Sequence, residues 1–154
     1  MDIHSEAYIA EAEELLSELE SSLLELETSP EDTDLINRAF RALHTIKGSG
    51  AMFGFEDIAR FTHEIETVFD FVRDGKIKIT KKLINLTLQS CDIIKIFLKN
   101  TEQISAEDEI KAIQIVNSFR EMQSEYCETE IKNNNEEIPK EISNEKLIKI
   151  FFKP

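Results

Sequence analysis

Positive charge is in short supply: 18 Lys and Arg stand against 31 Asp and Glu over 154 residues, a formal net charge of -13. A surface of that sign repels phosphate backbones and offers no basic groove, so nucleic acid is excluded as an expected partner. Long apolar runs are missing too. Nothing approaches the roughly 20 residues that span a bilayer, and the first residues lack the positive segment and apolar stretch of a secretion signal. No membrane insertion is expected, and the expected location is cytoplasmic. Cysteine is limited to Cys91 and Cys127, far apart and without a Cys-x-x-Cys pattern. That argues against a zinc site or a disulfide framework and for two reduced, partly buried thiols. Neither a Walker loop nor a kinase glycine loop occurs, so no ATP site is expected in this chain.

What is present is apolar periodicity. Apolar residues make up 41% of the chain, enough for one domain with its own core. From about Ile3 to Glu27 there is neither glycine nor proline, and Ile9, Ala12, Leu15, Leu16, Leu19, Leu23 and Leu26 recur at helical spacing. The polar positions of this helix are almost all Glu, with no Lys or Arg before Arg38, so packing rather than internal salt bridges must hold it. Pro30 marks a turn with Ser29 as a cap ahead of it, and a second helix runs from about Thr33 or Asp34 to Phe53. Gly54 is placed to end it in a left-handed conformation. A third helix follows Phe55 through Ile58, Phe61, Ile65, Val68, Phe69 and Val72 and closes at Asp74-Gly75. Thr80 is the expected cap of a fourth helix reaching about Lys99, whose wide apolar cover predicts contact on two sides. Ser105-Ala106-Glu107-Asp108 opens a fifth helix that fades by about Lys132. The expected fold is all-α: an antiparallel up-down four-helix bundle with an additional C-terminal helix, spanning residues 1–132. Residues 133–145 read as a polar linker. Residues 146–154, rich in β-branched and aromatic side chains, read as the start of a following, truncated domain or as a disordered tail.

One stretch of the second helix breaks the pattern. On a helical projection, Ile36, Ala39, Phe40, Leu43, Ile46 and Gly50 share one face, which turns His44 roughly 130° away from its centre, toward solvent. Gly48 follows a turn later on the same side. A helix-interior glycine costs on the order of 1 kcal/mol relative to alanine, so Gly48 and Gly50 need a reason, and close approach of a partner protein is the expected one. Helices joined by short connections pack antiparallel, so the second and third form a hairpin around Gly54. His44 lies ten residues before that glycine and Glu66 twelve after it, which puts both about 15 to 18 Å from the turn and within reach of each other. A carboxylate on one imidazole nitrogen fixes the tautomer and leaves the other nitrogen a free lone pair. Lys47 and His63 are close enough in spacing to approach an anionic group on that ring.

His44-Thr45-Ile46-Lys47-Gly48-Ser49-Gly50, then Phe53-Gly54-Phe55 and His63-Glu64-Ile65-Glu66, resemble the histidine phosphotransfer domain of CheA-type chemotaxis histidine kinases. The resemblance covers roughly residues 1 to 130. It implies that His44 is the phosphoacceptor, that Glu66 hydrogen-bonds its imidazole, that Lys47 and His63 complete the site, and that Gly48, Gly50 and Ala51 keep the surface small for a partner. It further implies a parent sensor histidine kinase whose ATP-binding domain, in the same protein or its dimer mate, phosphorylates His44. An aspartate on a response-regulator receiver domain would then receive the phosphate. ATP and Mg²⁺ would belong to the kinase domain and Mg²⁺ to the receiver, with no cofactor and no metal in this chain. The alternatives are a metal-binding bundle using His44, His63 and Glu66, or a bundle that only docks proteins. Against the metal, di-metal bundles use Glu-x-x-His on facing helices, whereas here a single His63-x-x-Glu66 runs in reverse order.

Overall fold

A chain without glycine or proline and with apolar residues every three or four positions folds as helix and buries that stripe. In the computed structural model, which describes residues 3–99 and 104–134 and side-chain surroundings as far as residue 125, α1 spans Ile3–Thr28. It buries Tyr8, Ala12, Leu16, Leu19, Leu23 and Leu26 on one side. α2 (Thr33–Met52) is capped by Asp32, whose carboxylate accepts from the N–H groups of Asp34 at 3.0 Å and Leu35 at 3.3 Å. Ser29, the expected cap, instead lies one turn too early. Its carbonyl accepts from the Asp32 N–H at 3.1 Å, closing the turn around Pro30 and leaving the capping position to Asp32.

Gly54, at φ 85°, ends α2. Its left-handed backbone returns the Phe55 N–H to the Gly50 carbonyl at 2.7 Å, so a carbonyl that the helix leaves unpaired is satisfied. α3 (Glu56–Arg73) closes in the same way at Gly75, φ 75°, with the Lys76 N–H on the Phe71 carbonyl at 2.9 Å. Thr80 Oγ1 caps α4 (Lys81–Lys99) by accepting from the Leu83 N–H at 3.1 Å. Ser105 caps α5 (Ala106–Asn134), accepting from the Asp108 N–H at 3.2 Å and donating to Asp108 Oδ2 at 2.9 Å.

α1 packs on α2, α2 on α3, α3 on α4, and α4 back on α1, so four helices close into a ring while α5 lies against α3 and α4. α4 is thereby contacted by α1, α3 and α5, which accounts for its wide apolar cover. Among the described residues there are five helices and no strand. α5 includes Asn133 and Asn134, the first two residues of the expected linker; residues 135–154, with the rest of that linker and the expected start of a following domain or tail, lie outside the described residues. No described helix is long and apolar enough to cross a membrane. Cys91 is buried in the core, where loss of water pushes its thiol up to about 12. The surroundings of Cys127 lie outside the described side chains.

The acidic face of α1 is answered by other helices rather than by itself. Arg38 of α2 stands 3.8 Å from Glu18 and 3.9 Å from Glu25, and Lys95 of α4 pairs with Glu20. Exposed pairs of this kind contribute about 0 to 1 kcal/mol each, so burial remains the main support of α1.

Candidate functional site

The α2–α3 hairpin brings His44 and Glu66 together. Glu66 is on the edge of the α3 stripe and is 9% exposed. The His44 side chain retains 64% of its accessibility. Glu66 Oε2 stands 2.9 Å from His44 Nδ1, and Glu66 Oε1 accepts from Lys47 Nζ at 2.7 Å. Both carboxylate oxygens therefore face a donor on α2, one turn apart.

Burial acts to raise the Glu66 carboxyl pKa, but the bonds from Lys47 and His44, helped by their charges, outweigh it and hold the group below the usual carboxylate value. An ionised carboxylate is acceptor-only. His44 Nδ1 must then be the donor, which fixes the proton on Nδ1 and leaves the Nε2 lone pair directed to solvent. With the ring neutral, the site thus presents an oriented, accessible ring nitrogen.

The other expected members divide. Lys47, with 26% of its side chain accessible, is committed to Glu66 and so sits beside the imidazole through the shared carboxylate. His63 is exposed on α3, and no ring contact or hydrogen bond joins its side chain to His44 or Glu66 among the described residues. Gly48 is exposed, a Cβ there would meet nothing within 4 Å, and Ala51 is exposed as well. Gly50 is not part of that open surface. It is buried, and a Cβ on it would stand 2.9 Å from Tyr8 Oη. Its missing side chain admits the Tyr8 hydroxyl from α1, which donates to the Ile46 carbonyl at 3.0 Å. A partner of Gly50 exists, but it is this chain's own first helix.

Phe40 departs from the expected core position as well. It is half-buried, its ring stacks on His44 with centroids 6.0 Å apart at 12°, and Arg73 Cζ lies 4.1 Å from its centroid. Neither contact was anticipated, although Phe40 lies one turn before His44 and its spacing allowed the first. Tyr8 was missed in the α1 stripe despite falling four residues before Ala12. As for metal, no group of three His, Cys, Asp or Glu side chains among the described residues is arranged to hold an ion, and both Glu66 oxygens already face nitrogen donors.

Fold and site together define a helical bundle that presents a solvent-facing histidine, oriented by a buried carboxylate from the neighbouring helix. Residues 5–115 match the Hpt domain family, and the chain belongs to that family. It is similar to the chemotaxis protein CheA of Borreliella burgdorferi, 43% identical over 57% of this chain and 10% of that protein. It is also similar to CheA of Klebsiella aerogenes, 38% identical over 70% of this chain and 17% of that one. The chain therefore spans less than a fifth of the length of these relatives. Among solved structures, it resembles the CheA phosphotransferase domain of Thermotoga maritima with a TM-score of 0.62 and 36% identity, covering 67% of this chain and 100% of that one. The phosphorylated P1 domain of CheA3 from R. sphaeroides, solved in complex with CheY6, shares the fold at a TM-score of 0.68 with 22% identity, over 79% of this chain and 98% of that one.

Proposed function

We propose that this domain is the phosphoacceptor and phosphodonor of a phosphorelay, in which His44 receives an ATP-derived phosphoryl group from a kinase domain and passes it to an aspartate of a response-regulator receiver. The observation that carries this reading is the 2.9 Å bond from His44 Nδ1 to Glu66, which leaves Nε2 free at an open surface. Uptake needs no base. The Nε2 lone pair forms the N–P bond as the P–O bond to ADP breaks, and the proton on Nδ1 stays in place. The phosphorylated ring is then cationic, and the Glu66 carboxylate beside Nδ1–H offsets that charge.

In the onward step a carboxylate oxygen of the receiver attacks phosphorus, the N–P bond breaks, and the ring returns to its neutral state with the same tautomer. Glu66 thus serves both directions without being consumed. Lys47 keeps Glu66 ionised and adds positive charge near the incoming phosphoryl group, and His63, one turn from Glu66 on α3, lends a further donor at the rim. Gly48 and Ala51 keep the surface around His44 low enough for a second protein to approach. ATP and Mg²⁺ belong to the kinase domain, in the same protein or its dimer mate, and Mg²⁺ to the receiver. The relatives named CheA, and the phosphorylated P1 domain solved with CheY6, support a CheA-type parent kinase working in chemotaxis.

The test is incubation with a CheA-type kinase core and labelled ATP. Wild type is expected to take up label and His44→Gln to take up none; equal labelling of the two, or none of either, rejects the assignment.

A further inference from the structure

His44 is held in two perpendicular ways. Its bond to Glu66 works within the plane of the ring and selects which nitrogen points inward. The nearly parallel Phe40 ring, 12° away in tilt, works across that plane and resists rotation of the imidazole about its bond to Cβ. Without the second restraint the hydrogen bond alone must hold a largely exposed side chain.

Phe40 is itself at the rim rather than in the core, and needs support. Arg73, the last residue of α3, supplies it: its guanidinium carbon lies 4.1 Å from the Phe40 ring centroid. That is well inside the range at which a cation is attracted to an aromatic face. Arg73 is exposed, and no ion pair competes for it among the described residues. At the C-terminal end of α3 its charge is also favoured by the helix dipole.

We propose that Arg73 is a positioning residue for His44, acting through Phe40: its guanidinium fixes the Phe40 ring, and that ring keeps the imidazole in the plane that presents Nε2 outward. The consequence for transfer rests on the phosphoacceptor reading above, whereas the effect on the ring does not. A cation over an exposed aromatic ring shifts an equilibrium by about twofold to fivefold, which sets the size of the expected effects.

The experiment is nitrogen-15 NMR of the His44 ring in its neutral form, with phosphoryl uptake measured in parallel. Arg73→Ala is expected to raise the minor tautomer of His44 by about twofold to fivefold and to slow uptake by a similar factor. Phe40→Leu is expected to do at least as much, and in its background Arg73→Ala should add nothing, because the path runs through the ring. Arg73→Lys should restore part of the effect. Unchanged ring signals in Arg73→Ala overturn the proposal, and so does an undiminished Arg73→Ala effect in the Phe40→Leu protein, which would mean that the charge acts on its own. Circular dichroism checks that each variant is folded; if Phe40→Leu is not, the comparison of Arg73→Ala with Arg73→Lys decides. Absence of label on the wild type rejects the phosphoacceptor reading alone, since the ring signals are read without any kinase.

Discussion

Glu66 is the residue on which the chemistry converges, because its two oxygens serve different donors. Glu66→Gln keeps the shape but removes the charge and turns an amide donor toward either Lys47 or His44. Charge-assisted hydrogen bonds contribute about 1.5 to 3 kcal/mol, so phosphoryl uptake should fall roughly tenfold to a hundredfold, read as the initial labelling rate. The pH dependence follows from the direction of its shift. Its folded pKa lies below the ordinary carboxylate value, so its contribution to stability is complete above that ordinary value and is lost as pH falls through the folded one. Acid unfolding of Glu66→Gln should lack this component, and carbon-13 titration of Lys47→Met should show the Glu66 carboxyl moving upward. That the pair would meet was legible from the lengths of the two helices around Gly54. A salt bridge from Lys47 to the carboxylate was open on the same spacing; that His63 would stand apart was not legible, because spacing along a helix does not say which rotamer a side chain adopts.

At the scale of a helix, the two glycines of α2 that look alike in sequence have opposite jobs. Gly48→Ala places a methyl group in open space and gains helix propensity, so it should stabilise the domain by about 0.5 to 1 kcal/mol while slowing transfer to a receiver domain. Gly50→Ala pushes against Tyr8 Oη and its bond to the Ile46 carbonyl, and should destabilise by about 1 to 3 kcal/mol. Thermal melts of both, with labelling of the first, check the contrast. The periodicity that marks α2 as a helix could not separate these positions, since Tyr8 belongs to another helix and lies 38 places before Ile46, whose carbonyl it bonds.

In the molecule as a whole, α5 is joined to α3 by its apolar stripe and by a largely buried ion pair. Arg120 donates to Glu64 at 2.7 Å, with 19% and 12% of the side chains accessible. Arg120→Ala strands the Glu64 carboxylate against α5, and should cost about 2 to 4 kcal/mol, with α5 amides losing protection from hydrogen exchange first. Replacing both partners by apolar residues, Glu64→Leu with Arg120→Met, should cost far less, because no buried charge is left alone. A scan of stability against salt is a second check at this scale: with a net charge of -13, screening should raise the melting temperature.

Taken alone, the sequence determined the five helices and the glycine-closed hairpin, and with it the similar height of His44 and Glu66, because caps, left-handed glycines and apolar spacing act within a few residues of one another. Its 3.6-residue period said which way each helix faces, but only to within a neighbouring side chain. The tertiary structure decided what stands in front of each face: Tyr8 over Gly50, Arg73 on Phe40, Lys47 on Glu66. Those choices depend on how far one helix is turned against the next, and that rotation is set by every buried side chain in the ring of helices at once.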